Sequence, residues 1–250
     1  MEAIERLAGL ILESERTIVF TGAGVSTESG IPDFRSPGGI WSRYDPEDFT
    51  IQKFLSSPDA RRAFWQVAAE GGLLAEADPN PAHYAIADLY QLGKLDCVIT
   101  QNVDNLHQKA GVPEDRVLEL HGNMRRVVCM GCGSRFPMLD IVQKVKEGVE
   151  SPDCPGCHGI LKPDAVLFGE ALPLVTLREA TRRARNCDLC LVIGSTLVVY
   201  PAAYVPAYAR EAGAKLAIVN LTPTPLDGDA TVCIQGKAGE IMSRVMERVR

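Results

Sequence analysis

The chain is 250 residues long, with 46% hydrophobic and 23% charged residues, the composition of a globular protein able to bury a sizeable core. No run of 18 apolar residues occurs, and the acidic, helix-like start Met1-Glu-Ala-Ile-Glu-Arg lacks the basic region of a secretory signal. Neither a membrane span nor export is expected, and the cytoplasm is the default setting. A formal net charge of −6 disfavours a polyanion as principal ligand and suits a basic partner such as a lysine-rich peptide.

In chain order, Ile4, Leu7, Ala8, Ile11 and Leu12 recur at helical spacing and predict an amphipathic helix over 3–14. Thr17-Ile-Val-Phe-Thr21 is a short β-branched run ending at Gly22, a buried strand opening into a glycine turn. Residues 33–80 contain Asp33-Phe-Arg-Ser-Pro-Gly-Gly39 and then helical stretches with aromatic residues, without a strand pattern. Further strands are predicted at Leu95–Thr100, Val117–Leu120, Leu189–Ile193, Lys215–Asn220 and Thr231–Ile234. Helical patterns lie at 82–92, 103–110, 173–185, 201–212 and 237–249. Strands that are apolar throughout, alternating with helices, indicate a parallel sheet covered on both faces: an α/β, doubly wound, Rossmann-like fold. Residues 33–80 and 124–162 break the alternation and read as insertions that form a smaller module beside the sheet.

The second insertion carries Cys129-Met-Gly-Cys132 and, after 21 intervening residues, Cys154-Pro-Gly-Cys157. Thiolates two residues apart on a tight knuckle both reach one tetrahedral ion, so this spacing predicts a four-thiolate zinc ribbon, with Gly131, Gly133 and Gly156 providing the turns. His158 follows the last cysteine and is expected to face solvent. Four protein ligands leave no open coordination position, so the metal is expected to be structural, one ion per chain. The other cysteines, Cys97, Cys187, Cys190 and Cys233, sit in or beside strand-like runs and are expected to be buried hydrophobes. Cys187 and Cys190 have redox-motif spacing, but they run into a central strand whose alternation turns their sulfurs apart.

Gly22-Ala-Gly24-Val-Ser26-Thr-Glu-Ser-Gly30 follows a strand, as a phosphate-cradling turn should, with a helix N-terminus expected after it. The usual dinucleotide fingerprint nevertheless fails: Thr27 stands where the third glycine belongs, and no acidic residue ends an obvious second strand. A hydride-transfer enzyme is disfavoured.

The stretch Gly22-Ala-Gly-Val-Ser-Thr-Glu-Ser-Gly-Ile-Pro-Asp-Phe-Arg35 resembles the first signature of the sirtuins, and Thr100-Gln-Asn-Val-Asp-Asn-Leu-His107 the second. Leu118-Glu-Leu-His-Gly122, Gly194-Ser-Thr196 and Val219-Asn-Leu221 resemble the remaining three, with the cysteine pairs between the third and fourth. The likeness covers almost the whole chain in the family's order. It implies an enzyme that removes acyl groups from protein lysine by consuming NAD, giving nicotinamide, O-acyl-ADP-ribose and free lysine. Acetylated lysine peptides and proteins are then the partners, with neither membrane nor nucleic acid as a direct ligand. The division implied is a Rossmann-like NAD-binding domain over 1–32, 81–123 and 163–250, a cofactor loop and helical insertion over 33–80, and the zinc-ribbon module over 124–162.

By that resemblance His121 is the general base for a ribose hydroxyl, a role suited to imidazole at neutral pH and to a position at the carboxyl end of a strand. Asn102 and Asp104 surround the scissile bond to nicotinamide, Gln101 contacts the nicotinamide ribose, and Val103 with Asp104 holds the carboxamide. Asn102 or Asp104 also suits the start of the helix over 103–110. Gly22, Ala23, Gly24, Ser26, Thr27 and Arg35 fall at the phosphates and adjoining ribose, and Phe34 shields the reaction centre. Gly194, Ser195, Thr196, Asn220 and Leu221 line the adenosine end, closed by Lys237 and Ala238. Val166-Leu167-Phe168-Gly169 matches the substrate segment, where an extended peptide adds as a β-strand and Val166 and Phe168 wall the acyl-lysine tunnel.

Relatives that take succinyl or malonyl groups carry Tyr and Arg three residues apart in the helical insertion; Trp65 and Ala68 stand at those places here. Acetyl and longer apolar acyl groups are therefore expected, and acidic ones are not. Two alternatives share parts of this pattern: a mono-ADP-ribosyltransferase using the same NAD site, and a zinc-ribbon nucleic-acid-binding protein.

Overall fold

Thr17–Thr21 is buried along its whole length, which a strand achieves only inside a sheet covered on both faces. In the computed structural model, which describes residues 1–34, 38–39, 42, 45–70 and 77–250, this strand, β1, lies near the middle of a six-stranded parallel sheet. The others are β2 (Leu95–Thr100), β3 (Val117–Glu119), β7 (Leu189–Ile193), β8 (Lys215–Asn220) and β9 (Val232–Gln235), in the order β3-β2-β1-β7-β8-β9. The chain lays strands outward on one side of β1, then returns to the other side and continues. The order thus reverses between β1 and β7, as in a dinucleotide-binding sheet.

Alternation along each strand feeds two cores. Val19, Val98, Leu191 and Val219 face α1 (Glu2–Glu13), α4 (Pro81–Gln91) and α9 (Ala238–Val249). Ile18, Phe20, Ile99, Val192 and Ile218 face α7 (Leu174–Ala184) and α8 (Tyr204–Glu211). Helix α4 begins where the sequence dictates: Asn80 caps it by accepting from Ala82 N (2.9 Å), and Pro81 occupies the first turn, where no amide is needed.

A second, antiparallel sheet contains β4 (Gly122–Cys129), β5 (Arg135–Pro137) and β6 (Leu161–Ala165), in the order β5-β4-β6. β4 begins two residues before the expected insertion and β6 ends three residues after it. Beside it lie α2 (Ile51–Ser56), α3 (Pro58–Ala69) and α6 (Met138–Lys146). Phe54, Phe64, Trp65 and Ala68 pack with Val127, Met138, Ile141 and Leu161 in one core, so the two insertions bury a common apolar face. Edge-to-face contacts with ring centroids 5.4 and 5.3 Å apart run from Phe54 through Phe64 to Trp65.

The expected helix over 103–110 is shorter: α5 spans Leu106–Lys109, after Asn105 takes a left-handed φ of 64°. Cys97 and Cys190 are buried as expected and Cys187 is half-buried, but Cys233 is exposed on the edge strand β9.

Candidate active site

Every recognisable turn lies at the carboxyl edge of the parallel sheet. Gly22–Ser26 follows β1, Gln101–Asp104 follows β2, His121 follows β3, Gly194–Thr196 follows β7, and Asn220 ends β8 before the exposed Leu221. Lys237 and Ala238 open α9, which Glu28 ties to the first turn by accepting from Gly239 N. Thr27 lies in the next single turn and bonds back to Gly24 O (3.0 Å). Phe34 is exposed. Arg35 lies outside the described residues. No α-helix follows the glycine turn among the described residues; two single 3₁₀ turns, Ala23–Val25 and Thr27–Ser29, stand there instead.

The glycines have a neighbour that sequence reasoning did not supply. Gly24 N donates to Gly194 O (2.9 Å), so the turns after β1 and β7 meet backbone to backbone at the switch point. A Cβ on Gly24 would stand 2.8 Å from Gly194 O, and one on Gly194, whose φ is +63°, would stand 2.1 Å from Val25 N. No side chain fits either place.

Around this contact a polar network gathers on Ser26. Its Oγ accepts from Asn102 Nδ2 (3.1 Å) and donates to Asp104 Oδ2 (2.7 Å), with His83 Nε2 at 3.5 Å. Asp104 Oδ1 accepts from Leu106 N (3.0 Å), so Asp104 and not Asn102 supports the start of α5. Gln101 Nε2 donates to Ser195 Oγ (2.9 Å), linking the second and fourth turns. Behind them, His107 Nε2 donates to Thr21 Oγ1 (2.9 Å), which donates to Thr100 Oγ1 (2.8 Å). Burial pushes His107 down to about 3 and His83 to about 4, the nearby Asp104 carboxylate opposing the latter shift. Ser26 as hub, His83, Thr21 and Thr100 were not singled out from sequence. Ser26 and His83 lie 57 residues apart, and no local pattern joins them.

His121 is placed for proton transfer. Its Nδ1 lies 2.8 Å from Gln101 O; a carbonyl only accepts, so Nδ1 carries the proton and the neutral ring presents a lone pair at Nε2. Burial holds its pKa below the ordinary histidine value, with the hydrogen bond to Gln101 opposing.

The segment Val166–Gly169 is docked on the same residue: Val166 N donates to His121 O (2.8 Å). Val166 packs toward the sheet's core, whereas Leu167 enters the module's core. Phe168 pairs through both main-chain groups with Phe49 O and Ile51 N (3.0 and 2.9 Å). Leu167 O accepts from Glu170 N (3.0 Å), closing a turn in which Gly169 has φ +76°. The main-chain groups of Leu167 and Phe168 are thus engaged within the chain.

At the far end of β4 and β6, the four sulfurs of Cys129, Cys132, Cys154 and Cys157 lie within 4.8 Å of one another. Cys129 and Cys157 are 3.4 Å apart, and Cys132 and Cys154 3.8 Å. Tetrahedral zinc with bonds of about 2.3 Å requires sulfurs roughly 3.8 Å apart, so the donor set fits that ion. Of the expected glycines, only Gly133 is left-handed (φ 73°); in the second knuckle His158 takes that conformation (φ 59°) and is exposed. Gly159, not anticipated, is needed for space: a Cβ there would stand 3.0 Å from Cys129 Sγ.

Residues 22–201 match the Sir2 family. The NAD-dependent protein deacylase 2 of Archaeoglobus fulgidus is 47% identical over 251 residues, covering 100% of this chain and 97% of that protein. The NAD-dependent protein deacetylase 1 of Pyrobaculum aerophilum is 45% identical, covering 100% and 96%. A solved Sir2 enzyme structure superposes with a TM-score of 0.90 at 46% identity, covering 99% of this chain and 98% of that one. A Sir2–p53 peptide–NAD+ complex superposes with a TM-score of 0.89 at 41% identity, covering 98% and 97%. With motif, sheet order, cysteine cluster and full-length likeness in agreement, the chain belongs to the Sir2 family.

Proposed function

We propose that this protein is an NAD-dependent protein-lysine deacetylase that holds one structural zinc ion, and that the crevice at the β1/β7 switch point is its active site. The observation that carries the reading is the His121–Gln101 hydrogen bond, which leaves a lone pair on a half-buried imidazole held to the turn that carries Asn102 and Asp104. When bound there, NAD supplies the acyl acceptor, its ADP-ribose portion, while nicotinamide departs.

The polar edge of the sheet fits such a ligand. Gly22, Ala23, Gly24, Thr27 and Arg35 are assigned to the phosphates and adjoining ribose, with Phe34 shielding the reaction centre. Ser195, Thr196, Asn220, Leu221, Lys237 and Ala238 are assigned to the adenosine. Asn102, Val103 and Asp104 hold the nicotinamide end. Ser26 keeps Asn102 and Asp104 oriented, so their oxygens are preorganised toward positive charge that develops on the sugar. His121 Nε2 accepts a proton from a ribose hydroxyl while Nδ1 stays bonded to Gln101 O. Val166 and Phe168 flank the acyl-lysine. Division of the chain follows: the parallel sheet and its helices bind the nucleotide, and the common core of the two insertions closes the other side. We place the enzyme in the cytoplasm, supported by a thiolate site of the kind a reducing compartment preserves. Among the described residues, no helix is long and apolar enough to cross a membrane.

Incubation with an acetyl-lysine peptide tests the reading: free lysine and acyl-ADP-ribose must form with NAD and not without it. Labelled protein in place of deacylated peptide would indicate a transferase.

The pH dependence follows from His121. Its folded pKa lies below the ordinary 6.5, so the neutral base is populated throughout neutral pH and is lost only as pH falls through the lowered value. The expected profile of kcat/KM is a plateau at neutral and mildly alkaline pH, with an acid limb of about one decade per pH unit centred below 6.5. A limb centred above 6.5 would assign the titration elsewhere.

Acyl choice follows from α3. Trp65 and Ala68 are buried in the module core, while Arg61 donates to Phe54 O and Leu55 O and Arg62 pairs with Asp59 and Glu150. No guanidinium of this helix is available to an acyl carboxylate. Succinyl-lysine is expected to be removed roughly 10- to 100-fold more slowly than acetyl-lysine from the same peptide, the cost of an unpaired buried charge; equal rates would refute this assignment.

A further inference from the structure

Lys162 is a buried lysine on an edge strand, an arrangement that demands compensation, because a buried ammonium needs acceptors for its three protons. It has them: Nζ donates to Pro163 O (2.9 Å) and Ala165 O (2.6 Å) and lies 3.1 Å from Glu170 Oε2. The same Glu170 oxygen accepts from Leu167 N (2.9 Å), while Glu170 N closes the turn onto Leu167 O. The pair therefore grips the substrate segment at both ends, from Ala165 just before Val166 to Glu170 just after Gly169.

Resting on the function proposed above, we propose that the Lys162–Glu170 ion pair is a positioning device for acyl-lysine peptides, setting the Val166 carbonyl and the Gly169 turn in the geometry that receives them. Two observations make the role specific to the substrate side. Glu170 accepts from Leu167 N–H, for which the main chain supplies no partner, so losing its carboxylate frees the middle of the segment without breaking β6. The clamp also lies outside the turns after β1, β2, β7 and β8 that are assigned to the nucleotide. A charged clamp is costly unless both partners are present, because removing one leaves the other without its counter-ion in a buried site.

The test separates peptide from nucleotide. In Glu170→Ala, KM for an acetyl-lysine peptide is expected to rise about tenfold, while KM for NAD stays within twofold and the Leu167 amide exchanges faster with deuterium. Glu170→Gln, which keeps an acceptor for Leu167 N–H but not the charge, is expected to fall between. Lys162→Met should raise peptide KM similarly, and the double variant Lys162→Met/Glu170→Ala should cost less than the product of the single effects. An unchanged peptide KM in Glu170→Ala, an equal rise in both KM values, or additive single effects would overturn the proposal. If a single variant does not fold, the folded double variant and Glu170→Gln decide it by the same ratio of KM values. Failure of the parent enzyme to consume NAD would instead sink the functional reading, an outcome recorded before any variant is made.

Discussion

His121→Ala is expected to lower kcat for deacetylation by roughly 10²- to 10⁴-fold, the range that a positioned general base contributes. Affinity for NAD, measured by calorimetry, should change little, because the phosphates, the adenosine and the carboxamide are assigned to groups on other turns. Alanine confounds two losses: the base itself and the donor that satisfies Gln101 O. His121→Asn separates them, since its side-chain amide can donate to that carbonyl but cannot accept a proton at neutral pH. Both variants should be equally inactive. If asparagine retains more than about a tenth of parental kcat, against the general-base range, the imidazole serves as a spacer and the proton goes elsewhere.

Removing the metal is expected to abolish activity although the ion takes no part in the chemistry. Strand β4 starts at Gly122, next to His121, and ends at Cys129, so metal site and base stand at opposite ends of one strand. β6 pairs with β4 from Cys129↔Leu161 to Gly122↔Ala165 and delivers Val166 to His121 O. Structural zinc contributes on the order of 10 kcal/mol to the folding of small ribbon modules, more than a short three-stranded sheet replaces by packing. Chelation, or Cys154→Ser, should therefore eliminate turnover and lower the melting temperature while most helical circular dichroism persists, since the parallel sheet keeps its own two cores. Cobalt reconstitution should restore kcat to within about twofold, because a four-coordinate ion has no position for water or substrate. A strongly metal-dependent kcat would mean that an open coordination site exists.

The parts of the fold that were legible from sequence are those whose environment is uniform. Leu95–Thr100, Leu189–Ile193 and Lys215–Asn220 match the observed strands residue for residue, because a parallel strand buried on both faces must be an apolar run with polar or glycine ends. The second sheet carries no such imprint. β4 contains Arg125 and Arg126, and β6 contains Lys162 and Pro163, a residue tolerated only because β6 is an edge. Those strands exist because the cysteine site and the helices of the first insertion hold them, and neither influence is written in local periodicity. The site divides in the same way. Turns that end strands can be placed by pattern, so the crevice could be anticipated. The bonds across it, from Ser26 to Asn102, Asp104 and His83, depend on tertiary distance.

The backbone contact between Gly24 and Gly194 has a consequence for altering nucleotide preference. Those two turns come from opposite halves of the chain, yet they interlock so closely that neither can gain a single carbon independently. Redesign that replaces either glycine while leaving the opposite loop in place would clash with its backbone; both loops would have to be rebuilt together, as one unit.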